Sequence, residues 1–370
     1  MSATLVTKSW ARWGIAQGLV AIHAAGLYRP RATPVAFVHE HADWQARRTA
    51  EYYVDALGLR HPGLAAAIDR PWGLFDRIVH FSSQFHWQNW AKALPRNNRY
   101  VVSYFHGKPE DGPDMARHVD FVLANHGRID RIVTAASLVE RRLRAWGLPA
   151  DKLRLVPLGV DDALFRPPSP DERRTARLAL GIPDDTVVVG SFQKDGVGWL
   201  EGTEPKLVKG PDVFVDAMRR LKQDFPVFAF LTGPARGYVK QGLDRAGIAH
   251  RHLFLENHGD VARCYRALDL YLVTSREEGG PQALLEGLAS AVPVVSTRVG
   301  MAEDVIVDGE NGALVEVGDA AGVAHRAAEV LSRPETASAW RHAGRATAER
   351  YRWSIVAETL YDRVYKDLLP

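Results

Sequence analysis

Short apolar runs alternate with stretches of helical period along most of the 370-residue chain. In the first half, PVAFV (Pro34–Val38), RIVHF (Arg77–Phe81), YVVSYF (Tyr100–Phe105), RIVT (Arg131–Thr134) and LRLVP (Leu153–Pro157) have strand length and β-branched or aromatic content. Between them, residues 44–57, 87–94, 114–126 and 137–146 place apolar side chains at helical spacing. A second series opens with VVVGSF (Val187–Phe192). It continues through a helix over 211–223, VFAFLT (Val227–Thr232), a helix over 235–246, a strand over 252–255 and a helix over 259–268. Two more strands follow, DLYLVT (Asp269–Thr274) and VPVVST (Val292–Thr297). Apolar strands alternating with helices predict parallel sheets in an α/β fold. The polar, proline-ended stretch GVDDALFRPP predicts a link near 160–175 between two domains. Within it, Asp161-Asp162 reads as a turn or cap.

Residues 275–300, SREEGGPQALLEGLASAVPVVSTRVG, join the last two of these strands. Gly279-Gly280 ends the first strand, and Pro281 suits a helix's first turn, where its missing N–H costs nothing. Leu284, Leu285 and Leu288 share one helical face, with Glu286 roughly opposite. Strand, helix, strand is a βαβ unit, and such sheets bind ligands at the carboxyl ends of their strands. Glu278, Gly279 and Gly280 lie at that end, before a helix N-terminus whose free N–H groups favour a phosphate.

The run EEGGPQALLE, with Glu278 and Glu286 separated by seven residues, resembles the signature of retaining glycosyltransferases of family 4, which have the GT-B fold. The resemblance extends to LRLVPLGVDDALFRP, to EDVIVDGENGALVEVGD (303–319) and to YRWSIVAETLYDRVYKDLL (351–369). It implies two Rossmann-like domains facing across a cleft: an acceptor-side domain over 1–165 and a nucleotide-sugar domain over 166–350. A helical segment, 351–370, would return to the first.

The resemblance also implies roles. Glu286 would bind the donor's ribose, and Glu278 the transferred sugar. Gly279 and Gly280 would admit sugar and phosphate close to the backbone, and Pro281 and Gln282 would continue the helix start beneath the phosphate. Lys209, in VKGPDVF, matches a Lys-Gly motif that holds the diphosphate, whose developing charge calls for fixed cations. The family's Gly-Arg turn reads GSFQKDGVGW here, without arginine, so Lys194 is the nearest replacement and offers only a point charge. Trp199, Glu201 and Glu204 lie in the unusually long loop between the two lysines. His106, followed by Gly107 at a strand's end, matches a position where histidine faces the donor sugar. The loop His39-Glu40-His41-Ala42-Asp43 lacks the family's glycines and is placed on the acceptor side.

Composition adds limits. At 46% hydrophobic and 25% charged, the chain is that of an ordinary globular protein. Its one cysteine, Cys264, excludes an internal disulfide and reads as a small core residue. No run reaches the length of a membrane span. Residues 14–27 are interrupted by Gln17 and His23, which argues against a signal peptide. The net charge of +3 divides into +6 over 1–165 (21 basic, 15 acidic) and −3 over the remainder (26 and 29). A basic first half fits an anionic partner such as a membrane surface. The arginines are scattered rather than clustered, so nucleic-acid binding is not expected. His39 and His41 are too weakly spaced to predict a metal.

The expectation is therefore a metal-independent enzyme without a cofactor, cytoplasmic or peripheral at the inner membrane face. It would use a UDP-, GDP- or ADP-sugar and a hydroxyl acceptor on a glycan, glycolipid, polysaccharide precursor or small molecule. The alternatives are a catalytically silent sugar-nucleotide-binding protein and a GT-B epimerase or phosphorylase.

Overall fold

The computed structural model describes residues 3–27, 33–41 and 45–369, with side chains from residue 12 onward. The chain divides into two compact units, one of residues 1–158 with 353–370 and one of residues 159–352. Residues 159–165 pack with the second unit because Arg345 gathers them. Its guanidinium donates to the carbonyls of Asp162 and Phe165, both at 3.0 Å, and pairs with the Asp162 carboxylate at 3.2 Å. Asp161 caps the turn here, its Oδ1 accepting from the N–H groups of Ala163 and Leu164.

The first unit holds six parallel strands: β1 (Val35–Val38), β2 (Ala65–Ile68), β3 (Ile78–Phe81), β4 (Arg99–Ser103), β5 (Arg131–Thr134) and β6 (Leu153–Leu155). Their order is β2-β1-β3-β4-β5-β6. The edge strand β2, AAAI, was not expected from the sequence. It is only half buried and carries almost no β-branched signal.

Residues 353–370 complete this unit's core. Trp353 stacks on Tyr52 (5.1 Å between ring centres) and meets the edge of Tyr53 at 5.0 Å. His61 stacks on Tyr361 at 3.9 Å. The Tyr365 hydroxyl lies 2.6 Å from Nδ1 of His80 on β3, whose Nε2 is 3.0 Å from Ser103 Oγ on β4.

The second unit holds β7 (Val187–Phe192), β8 (Val227–Thr232), β9 (Ala249–Leu253), β10 (Leu270–Val273), β11 (Val294–Thr297) and β12 (Ala313–Val315), again all parallel, in the order β12-β11-β10-β7-β8-β9. The helix Pro211–Leu221 buries Val213, Phe214, Ala217, Met218 and Leu221 against this sheet. The order reverses between β7 and β10. The connections leaving these two strands therefore run to opposite faces, opening a crevice at their carboxyl ends. Both units are thus Rossmann-like α/β layers.

Burial pushes the His80 imidazole down to about 3. The folded state therefore takes up this proton far less readily than the unfolded chain, so the stability His80 contributes is complete above its unfolded pKa and drains away as pH falls toward its folded one. Between about pH 7 and about pH 4 the loss from this residue is on the order of 3 kcal/mol. Thermal unfolding followed by circular dichroism should show a midpoint falling over that range, with a shallower fall in His80→Gln.

Candidate functional site

The loops after β7 and β10 bring the motif residues together. Lys209 ends a single helical turn, Leu207–Lys209, and Gly210 behind it adopts φ +62°. A Cβ at Gly210 would lie 1.8 Å from the Thr274 carbonyl oxygen. Only glycine allows this close crossing of the two loops. Thr274 Oγ1 donates to the Gly210 carbonyl at 3.0 Å. Arg276 grips Asp212 with two bonds of 2.7 and 2.6 Å, tying the β10 loop to the next helix start.

Held this way, Lys209 Nζ reaches Glu278 Oε1 at 2.6 Å, and Ser275 Oγ donates to the same oxygen at 2.8 Å. The pair is only partly screened, with 23% of the lysine and 13% of the glutamate side chain exposed. Neither Gly279 nor Gly280 takes a left-handed φ. The tight approach falls instead at Gly300 (φ +51°), where a Cβ would stand 2.8 Å from the carbonyl oxygens of Glu278 and Gly279.

One position differs from expectation. Pro281 caps the helix Gln282–Ala289 from outside instead of forming its first turn. Gln282 turns its amide to the Gly159 carbonyl at 3.3 Å and is 6% exposed, so its side chain anchors the incoming chain within the unit. Glu286 does not lie on a solvated face. It is 5% exposed, because the helix His258–Tyr265 covers its side of the helix. His258 Nε2 donates to Glu286 Oε1 at 2.8 Å, and the Tyr265 hydroxyl donates to Oε2 at 3.0 Å.

Lys194 places its ammonium 3.6 Å from the ring centre of Trp199. The long loop carrying both is firmly built. Lys206 N–H donates to Asp195 O (2.8 Å), Val197 N–H to Glu204 O (2.9 Å) and Gly237 N–H to Glu201 O (2.6 Å). Lys206 was not singled out from sequence. Loss of hydration and then repulsion by Lys209 and Lys194 lower its pKa, which marks a local excess of positive charge.

The missing arginine also has a structural counterpart. Arg236, from the turn after β8, is fully buried and donates to the carbonyls of Ser191 (2.6 Å), Thr232 (2.8 Å) and Gln193 (2.9 Å). It also pairs with buried Asp195 at 3.0 Å. Its guanidinium holds the turn after β7 from beneath and is closed to solvent.

In the first unit, His106 follows β4. Its carbonyl accepts from Gln84 Nε2 at 2.7 Å, and Gln84 Oε1 accepts the Phe105 N–H at 3.2 Å. Desolvation, and then the charge of His106, push nearby His118 down to about 4. His39 and His41 do not converge: His39 Nδ1 meets Glu40 O at 2.8 Å, and His41 Nδ1 meets Asp69 at 3.2 Å. Among the described residues no group of three or more His, Cys, Asp or Glu could hold a metal ion. Cys264 is buried and its thiol is pushed up to about 12, which makes it inert.

Residues 205–347 match the family described as "Glycosyl transferases group 1". Over 335 residues the chain is 30% identical to the D-inositol 3-phosphate glycosyltransferase of Acidothermus cellulolyticus, covering 85% of this chain and 70% of that protein. The chain belongs to the group 1 glycosyl transferases. It is also 32% identical to the lipopolysaccharide core biosynthesis mannosyltransferase LpsB of Rhizobium meliloti, over 49% of this chain and 51% of that protein. The chain spans about half the length of several of its curated relatives.

Among solved structures, Anabaena Alr3699/HepE in complex with UDP and glucose superposes with a TM-score of 0.70 at 17% identity, covering 90% of this chain and 99% of that one. Sucrose-phosphate synthase from Thermosynechococcus elongatus gives 0.69 at 19%, covering 91% and 99%. The architecture of this group 1 member is accordingly GT-B, with its matched family segment lying wholly in the second unit.

The crossing at Gly210 yields a direct test. Gly210→Ala should lower stability by on the order of 2 kcal/mol, from the left-handed backbone and the blocked carbonyl together. Thermal denaturation should show it.

Proposed function

We propose that the protein is a retaining glycosyltransferase of the family 4 type. It transfers a hexose from a nucleoside-diphosphate sugar to a hydroxyl of a glycan, glycolipid or polysaccharide precursor. The observation that carries this reading is the Lys209–Glu278 pair at the switch point of the second sheet. A cation and a carboxylate there suit the two sides of the bond that breaks: diphosphate on one, sugar on the other.

In this reading the C1–O bond to the diphosphate breaks and its electron pair leaves with the phosphate oxygen. Lys209, assisted by Lys194 and Lys206, stabilises the charge that develops. Glu278 orients the sugar hydroxyls, and Glu286 binds the ribose. The acceptor oxygen bonds to C1 on the face the diphosphate is leaving, and its proton passes to the departing phosphate. The configuration at C1 is thereby retained without a dedicated protein base. Lys194 would move from Trp199 to reach the phosphates. His106 is proposed to serve the sugar from the first unit.

The acceptor is proposed to bind to the first unit, where His39, His41, Asp69, Arg47 and Arg77 line a cavity of about 690 Å³. UDP is the first nucleotide to try, since the Anabaena fold relative was solved with it. No described helix is long and apolar enough to cross a membrane. A peripheral contact is proposed through the helix Ala3–Ala24, which leaves Trp13 and Ile15 about half exposed.

Lys209→Ala and Glu278→Ala should each lower sugar transfer by on the order of 100-fold or more. A thermal-shift panel of UDP, GDP and ADP names the donor class, and product analysis reads the anomeric configuration. Wild-type turnover in both variants would sink the site assignment. Nucleotide binding without transfer or donor hydrolysis would favour the silent binding protein.

A further inference from the structure

Glu286 is held more firmly than the sequence motif requires. Both carboxylate oxygens are engaged by the neighbouring helix, Oε1 by His258 Nε2 at 2.8 Å and Oε2 by the Tyr265 hydroxyl at 3.0 Å. Only 14% of the imidazole and 7% of the carboxylate are exposed. A carboxylate only accepts, so His258 carries its proton on Nε2 in this contact. Burial, and then the charge of Glu286, raise the Tyr265 phenol well above its ordinary pKa, so it remains a donor. Phe165 walls the pair, its ring 5.0 Å from His258 and 5.6 Å from Tyr265. The wall itself is pinned, because Arg345 donates to the Phe165 carbonyl at 3.0 Å.

Each carboxylate oxygen has room for more than one donor. With one site on each taken by the helix, one on each remains for the adjacent hydroxyls of a cis-diol. We infer that His258 is a positioning residue which, with Tyr265, fixes the Glu286 carboxylate to receive both ribose hydroxyls, so that the site selects ribonucleotide over 2′-deoxyribonucleotide donors. This rests on the reading of Glu286 as the ribose ligand. The discrimination follows from burial: a ligand lacking one hydroxyl leaves one oxygen of a desolvated carboxylate without its second donor. Without His258 the carboxylate is free to turn, and the second hydroxyl gains little from being present.

The test is calorimetric titration of the full chain with UDP, GDP and ADP and their 2′-deoxy forms, on wild type, His258→Ala, His258→Gln and Glu286→Ala. For the nucleotide that binds most tightly, His258→Ala should weaken the ribo form by about tenfold, the worth of one hydrogen bond to a charged group, and leave the deoxy form nearly unchanged. His258→Gln, which can still donate, should recover most of the preference. In transfer assays the loss should fall on donor KM more than on kcat. Equal weakening of both forms would make His258 merely structural, and no weakening would leave it without a role; either overturns the inference. If Glu286→Ala keeps the wild-type preference, the ribose reading of Glu286 fails and the inference falls with it. Loss of the preference in Glu286→Ala but not in His258→Ala would spare Glu286 and overturn His258 alone.

Discussion

The crossing of the β7–β8 and β10–β11 connections at Gly210 and Thr274 is the constraint on which the candidate site depends. Parallel strands deliver every strand-to-helix loop to one edge, which gathers chemistry there but does not align it. Alignment to hydrogen-bond precision needs backbone in contact with backbone, and here the Thr274 carbonyl occupies the space of a missing Cβ. Arg276 on Asp212 and Thr274 on Gly210 then fasten the two loops on either side. Lys209 and Glu278 meet because their main chains already do.

Beneath this crossing lies a costly element. A buried arginine with a buried aspartate does little for net stability, since desolvation consumes most of the attraction. Arg236 is repaid in another way, by collecting three carbonyls from two strand ends whose turn would otherwise leave them unsatisfied. The arginine absent from the turn after β7 thus reappears below it, as a brace for a loop longer than the sheet alone would support. In the proposed reading, the cationic duty falls to Lys209, Lys194 and Lys206, which repel one another where they gather.

Legibility followed burial. β7 and β8, largely buried and mostly apolar, are read to the residue from VVVGSF and VFAFLT. The edge strands are the difficult ones: β2 is alanine-rich, and β9, AHRHL, is polar enough that its position is read late. The site divides in the same manner. Residues close in sequence, such as Glu278 and Glu286 or Lys209 and Gly210, form a pattern. Arg236, His258 and Tyr265 come from other elements and follow no local rule. A helical projection counts only a helix's own residues, so it placed Glu286 opposite the leucines without showing what covers that side. The neighbouring helix, which a projection omits, put it inside.

The first unit is closed by residues that lie beyond the whole of the second. The chain leaves after Leu158 and returns at Trp353, and the two passages touch where Val160 N–H meets the Tyr351 carbonyl at 2.8 Å. His80, Tyr52 and Tyr53 wait for Tyr365 and Trp353 to fill their core. On a ribosome, which releases the chain in order, the second unit has all its strands before the first has its final helix. The nascent first unit must therefore keep an aromatic groove uncovered for the time it takes to make some two hundred residues. The order of the chain thus makes the closing of that core the last step of the first unit's assembly.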